Sequence, residues 1–188
     1  MLRLFVAIGL TEKQKDQLTA LQNKLKDYMD GVRWVRPEAM HLTLNFMEAV
    51  EEERAALIQE AMDGAVEDLK PFKIQFGSCG VFPSPGKARV LWIGIEEGEA
   101  PIKELASKLE SNLAAHNFKK EERIYHPHLT IGRIRGRVHQ NKINKFLEQE
   151  KMFQTSAAEA REVILYQSRL SNRGAVHTAV YRTAFRKI

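Results

Sequence analysis

The tripeptide His-Leu-Thr occurs twice in this chain of 188 residues, at His41 and at His128, each time followed by an aliphatic residue. Recurrence of one given tripeptide in so short a chain has odds of roughly a few per cent from ordinary residue usage. Both copies sit in strand-like runs, "HLTLNFM" and "HLTIGRI". Side chains alternate along a strand with period two. His41 and Thr43 therefore leave one face and Leu42 and Leu44 the other; His128 and Thr130 oppose Leu129 and Ile131 in the same way. Each strand must lay its aliphatic face on a core while its imidazole and hydroxyl point away from it.

The remaining segments supply partners for these two strands. Residues 2–8 ("LRLFVAI"), 32–35 ("VRWV"), 72–82 and 88–95 read as strands, the last two paired around the turn "PSPGK". Residues 162–170 and 175–185 read as a closing hairpin around "SNRG". Residues 11–29 read as a helix capped by Thr11, with Leu18, Leu21, Leu25 and Tyr28 at helical spacing. Residues 51–69 and 101–116 read as further helices, and 141–150 as a fourth, its charged run "NKINKFLEQEK" a solvated face. No Gly-, Ser- or Pro-rich linker divides the chain. Strand, helix and strand follow one another in both halves, each with one His-Leu-Thr strand. The expectation is an α+β protein, a single domain over residues 1–188 made of two similar lobes. Two antiparallel sheets should face a central cleft, with helices on their outer faces.

Composition narrows the function classes. With 44% hydrophobic residues the chain can bury a real interior, and no apolar run approaches the roughly 20 residues of a membrane helix. The opening "LRLFVAI" is short and is followed at once by "TEKQKDQ", so it reads as a strand and not as a signal peptide. The single Cys79 excludes an internal disulfide framework and suits a reducing compartment. A cytoplasmic protein is the resulting expectation, taken as a monomer by default. The net charge of +5 favours an anionic partner.

A lone histidine on a strand is more often a hydrogen-bonded structural residue than a catalyst. Two matched His-x-Thr strands reverse that balance. A threonine hydroxyl donates to a phosphate oxygen and an imidazole moves a proton. Two such half-sockets across a cleft provide what an in-line displacement at phosphorus needs: a base on one side and an acid on the other. Imidazoles titrating near 6.5 can supply both forms near neutrality, with no metal or cofactor. Two other classes compete. His41, His126 and His128 could form a three-histidine zinc site, but that leaves both threonines idle, and HExxH or CxxC spacings are absent. A non-catalytic RNA-end binder would use the same cleft, although no basic aromatic ladder of a general RNA module is present.

At these motifs the chain resembles the 2H phosphoesterase family, named for two His-x-Thr/Ser-x motifs. It is most similar to the RNA 2′,3′-cyclic phosphodiesterase branch, historically called 2′-5′ RNA ligases. "RLFVAIGL", "WVRPEAMHLTLNF", "ARVLWIGI", "YHPHLTIGR" and "YQSRLSNRGAVHTAVY" carry the likeness over nearly the whole chain. Two departures stand out: Phe46-Met47-Glu48 replaces the family's Phe-Leu-Gly-Glu, and His177 stands where an aromatic residue, usually Tyr, is expected. The resemblance implies a bilobal, pseudo-symmetric fold. It also implies hydrolysis of RNA or nucleoside 2′,3′-cyclic phosphate to a 2′-phosphomonoester, with weak reverse ligation. His41 would be the acid toward the 3′ oxygen and His128 the base toward water, although roles exchange in the reverse direction. Thr43 and Thr130 would be phosphate ligands.

Further substrate-binding candidates are Arg133, Phe46, His126 and Tyr125. Arg133 falls on the face opposite His128 if its strand stays regular, and a bulge would turn it inward. Phe46 could stack on a base, but alternation places it on the core side with Leu44. His126 would share the face of His128, and Tyr125 would flank the cleft. Arg36, Arg89 and Arg123 are candidates for a basic rim, and Trp34 and Trp92 for core or rim.

Overall fold

The computed structural model describes residues 1–171 and 174–186. In chain order the elements are β1 (Leu2–Gly9), α1 (Glu12–Lys26), β2 (Val32–Trp34), β3 (His41–Val50), α2 (Ala55–Val66), β4 (Phe72–Phe82) and β5 (Val90–Glu97). They continue with α3 (Glu99–Ala115), β6 (Leu129–Ile134), α4 (Gln140–Gln149), β7 (Ala158–Ala160), β8 (Glu162–Ser171) and β9 (Gly174–Ala184). Thr11 caps α1 through a full capping box with Gln14, which satisfies two otherwise orphaned N–H groups. The acidic run expected to open the second helix instead forms a 3₁₀ turn, Glu52–Arg54, and α2 begins after it. In α4 the charged side chains are solvated as expected, but Ile143 and Phe146 on its other face are buried. Of the expected closing turn, Asn172 and Arg173 lie outside the described residues.

All strand pairs are antiparallel. One sheet has the order β3-β1-β8-β9 and the other β2-β6-β5-β4-β7. The lobes are therefore interleaved in sequence: β8 and β9 return from the C-terminal end to pair beside β1, and β2 crosses from the N-terminal third to pair with β6. Helices α2 and α3 pack on each other and on the first sheet, α2 against β9 and α3 against β3. α1 and α4 serve the second sheet. The buried Gln14 amide of α1 donates to the Ile74 and Ser156 carbonyls at 3.2 Å, and α4 packs on β4.

The two motif strands share one irregularity. Along β1 and β3, Val6 pairs with Asn45 and Ala7 with Thr43, so Leu44 is an extra residue. Along β5 and β6, Leu91 pairs with Gly132 and Trp92 with Thr130, so Ile131 is an extra residue. Each is a β-bulge one position after the motif threonine. A bulge puts two residues opposite one and reverses the alternation beyond it. Leu42 and Leu44 are both buried, as are Leu129 and Ile131. The carbonyl of Ile131 is fixed from two sides, by the N–H of Val35 at 3.0 Å and by the Gln22 side-chain amide at 2.8 Å. Gln22 is only 2% exposed and also donates to the Val35 carbonyl at 2.8 Å.

Gln22 is thus a polar residue on the apolar side of α1 whose task is to hold the second bulge. Replacement by leucine removes the donor from the buried Ile131 carbonyl and from the half-buried Val35 carbonyl. Gln22→Leu is expected to lose about 1–3 kcal/mol in a urea unfolding series. Unchanged stability would show that the bulge does not depend on this amide.

Candidate active site

A cavity of about 650 Å³ opens between the two sheets, and His41, Thr43, His128 and Thr130 all line it. The sheets place the four groups there because the aliphatic neighbours of each motif occupy the core on the reverse face. Each imidazole is tethered in the same way. The Nδ1 of His128 lies 2.7 Å from the His126 carbonyl, two residues earlier. His41 makes the corresponding hydrogen bond with the backbone of Ala39, also two residues earlier. A ring nitrogen donating to a carbonyl fixes the tautomer and leaves the other nitrogen to act in the cavity.

Each imidazole also rests on aromatic rings. Phe5 of β1, itself buried, stacks on His41 with ring centres 4.5 Å apart. It also contacts Phe46, Tyr166 and His177. On the other wall Phe82 meets His128 edge-on at 4.9 Å, and Trp92 stands behind both. Gly80 permits that arrangement, because a Cβ there would overlap the Trp92 indole. Burial pulls the His41 midpoint from 6.5 down to about 4, with neighbouring His177 adding to the effect. Burial lowers His128 as well. Both rings are neutral near pH 7 in the free protein.

The bulges decide where the other candidates lie. Arg133 is the third residue after Thr130, and the bulge at Ile131 turns it into the cavity. Phe46 is the third residue after Thr43, and the bulge at Leu44 does the same for it. The core position expected from regular alternation is incorrect: Phe46 is 44% exposed, lines the cavity and stacks near Phe5. Phe46 and Arg133 are therefore equivalent positions in the two lobes. The imidazole of His126 does not share the face of His128. It is exposed and off the cavity, because residues before β6 do not follow strand alternation, and its contribution is the carbonyl that holds His128. Tyr125 does not present its hydroxyl to the cleft. It donates at 2.8 Å to the Thr43 carbonyl and so ties the lead-in of one motif to the strand of the other. Among the described residues, His41, His126 and His128 do not come together as a metal-binding group.

Sequence reading missed Arg3, Arg33, Arg135 and Phe5, noted Ser168 only as a matching position of the closing hairpin and His177 only as a departure; all six line the cavity. With Arg36 and Arg133, five guanidinium groups line its wall, and none of its lining residues is Asp or Glu. Arg3 was findable, since it shares the face of Phe5 by alternation. Arg33 was findable only through its pairing with Arg133 across β2 and β6. Of the expected rim, Arg36 lines this cavity and Arg123 a neighbouring groove, and Arg89 lines neither. Trp34 is at the rim.

Comparison with known proteins identifies the family and the fold. The family described as LigT like Phosphoesterase matches the chain twice, over residues 8–92 and 93–177. The RNA 2′,3′-cyclic phosphodiesterase of Methanothermobacter thermautotrophicus is 31% identical over 94% of this chain and 95% of its own. That of Thermotoga maritima is 32% identical over 98% of this chain and 96% of its own. Among solved structures, Escherichia coli LigT complexed with 3′-AMP superposes with a TM-score of 0.80 at 22% identity, covering 99% of each chain. TT0787 of Thermus thermophilus gives 0.79 at 23% identity, covering 97% of each chain. At such identities these structures establish the shared fold.

The depressed midpoint of His41 carries a stability consequence. Between pH 6.5 and about 4 the unfolded chain binds a proton at this ring and the folded one does not. Stability therefore falls as pH drops through that window, by about 3 kcal/mol in all, and is unaffected by His41 above it. Unfolding free energies measured at pH 7 and pH 4 should show this loss, and His41→Phe should remove most of it. An equal pH dependence in both proteins would contradict the assignment.

Proposed function

This chain belongs to the LigT-like phosphoesterase family, and we propose that it hydrolyses the 2′,3′-cyclic phosphate of RNA ends or nucleotides to a 2′-phosphomonoester. The observation that carries the proposal is the pair of tethered imidazoles, each with its threonine, on opposite walls of one cation-rich cavity. The whole chain acts as one unit, since each wall takes strands from both halves.

The chemistry follows from the groups present. Water attacks phosphorus as one imidazole takes its proton; the bond from phosphorus to the 3′ oxygen breaks as the other imidazole supplies a proton to that oxygen. With the family resemblance as guide, His128 is the base and His41 the acid. The hydroxyls of Thr43 and Thr130 and the guanidinium of Arg133 hold the non-bridging oxygens, which gain charge in the transition state. Phe46 offers a face for a base to stack on. Arg3, Arg33 and Arg135 lie within reach of the further phosphates of a chain. A 5′ hydroxyl attacking in place of water gives a 2′-5′ phosphodiester by the same two proton transfers; the roles exchange when that linkage is cleaved back to the cyclic phosphate.

The anion itself completes the site. Both imidazoles are neutral in the free protein, and a phosphate between them raises both midpoints, most strongly where burial is greatest. The acid thus acquires its proton together with substrate.

Two measurements test this. Turnover of a 2′,3′-cyclic nucleotide in the presence of chelator should give the 2′-phosphomonoester by phosphorus NMR, with a loss of at least about a hundredfold in kcat for His41→Ala or His128→Ala. Full activity in the double variant would remove the proposal, and nucleotide binding without turnover would favour a non-catalytic RNA-end binder. The pH profile is the second. kcat/KM reports the free protein, so it should peak between about 4 and the lowered midpoint of His128 and fall above the latter. kcat reports the complex, and its bell should lie at higher pH. Coincident profiles would contradict the role given to the anion.

A further inference from the structure

The two lobes set a ring edge-on against each motif imidazole, but not the same ring. His128 meets Phe82 with centres 4.9 Å apart and planes 86° apart. His41 meets His177 with centres 5.1 Å apart and planes 88° apart. The geometry is the same within a few tenths of an ångström, so the packing of such an edge does not require a histidine. What His177 adds is a second titratable group against His41. We propose that His177 is a positioning residue that makes the two motif imidazoles chemically unequal, by placing an imidazole where the other lobe has only a phenyl ring. The proposal rests on the cyclic phosphodiesterase reading and assigns a task to a side chain that the reaction itself does not need.

His177 lies on β9, opposite Ser168 of β8 in the strand register. Its ring lines the cavity and also meets Phe5 edge-on at 4.9 Å. Its Nδ1 is buried and finds no hydrogen-bond partner among the described residues. A ring held in this way can carry one proton without loss, but a second would leave a buried donor unpaired. The charged groups around the His41–His177 pair come from every wall. Arg3 of β1 and Tyr166 of β8 belong to its own sheet, with Arg36 on the segment leading into β3. Arg33 of β2, and Arg133 of β6 with Arg135 beyond it, approach from the other wall. All but the tyrosine are cationic, and no carboxylate lines the cavity to offset them.

Two imidazoles in ring contact in such a place do not both charge, because like charges at this distance repel with little screening. A charge on His177 opposes the protonation of His41. Phe82 can do nothing of the kind for His128, and the imidazole on that side, His126, is exposed and the least of the causes that lower it. Turnover needs one proton shared between the two motif imidazoles, and the free site carries a single proton mainly between their two midpoints; the bound phosphate then favours the form with that proton on His41. By depressing one midpoint and not the other, His177 widens that interval.

The test is the titration of His41 in the free, full-length protein, followed by NMR of its ring protons. It is read in the wild type, in His177→Phe, which copies the other lobe, and in His177→Gln, which keeps a polar group without charge. Both variants should raise the His41 midpoint by about half a pH unit or more, as expected for a like charge at this separation. They should leave His128 within about 0.2 unit, since no ring of that pair changes. The acid limb of kcat/KM should move up with His41 and narrow the bell. A His41 midpoint unmoved in both variants, with each melting as the wild type does, would overturn the proposal and show His177 to be packing alone. Because the titration is read without substrate, its outcome is separate from the identity of the reaction.

Discussion

A strand that buries every second residue can bring its polar residues to a cleft only in steps of two, and a displacement of phosphate needs more groups than that on one face. The bulges at Leu44 and Ile131 resolve this constraint. Before each bulge, histidine and threonine occupy alternate positions facing the cavity. After it, the phase is reversed, and the third residue beyond the threonine joins them. In one lobe that residue is Phe46 and in the other Arg133. The aliphatic residues on both sides of each threonine stay buried, so the core loses nothing. The interior support of one bulge by Gln22 and Val35 shows how far the structure goes to hold it.

The electrostatic character of the cavity follows from what is absent among its lining residues as much as from what is present. Five guanidinium groups with no carboxylate make a place where an anion is the natural counter-ion. Aromatic support keeps water from the imidazole flanks, and the same burial depresses their midpoints. The free site therefore holds both imidazoles neutral, and in the proposed reaction the arriving phosphate restores the charge. The double match of the family to residues 8–92 and 93–177 accords with two lobes built on one plan. The plan is broken where it matters chemically: Phe82 beside one imidazole and His177 beside the other.

Much of this was legible in the residues. Hydrophobic periodicity placed the main strands and helices, and the repeated His-Leu-Thr identified both ends of the site, because short-range alternation is a property of any strand. β7 escaped notice because "AEA" offers no β-branched or aromatic residue. Phe46 was assigned to the wrong face because a bulge has no signature in the one strand that carries it; it exists only in the pairing of Leu44 against β1. Arg33 depends on a cross-strand partner, which alternation along a single segment does not reveal. His126 and Tyr125 misled for a related reason. They lie before the strand begins, so its period does not govern them, and one serves through its carbonyl and the other through a hydroxyl bound to Thr43.

The central claim is that two imidazoles grip one phosphorus atom from opposite sides. A crystal structure of the protein with a uridine–vanadate complex, which mimics the five-coordinate phosphorus of the displacement, tests it directly. The account predicts His41 and His128 each within hydrogen-bond reach of a different apical oxygen, with Thr43 and Thr130 on the equatorial oxygens. Vanadate held by only one imidazole, or by both on the same side, would contradict it.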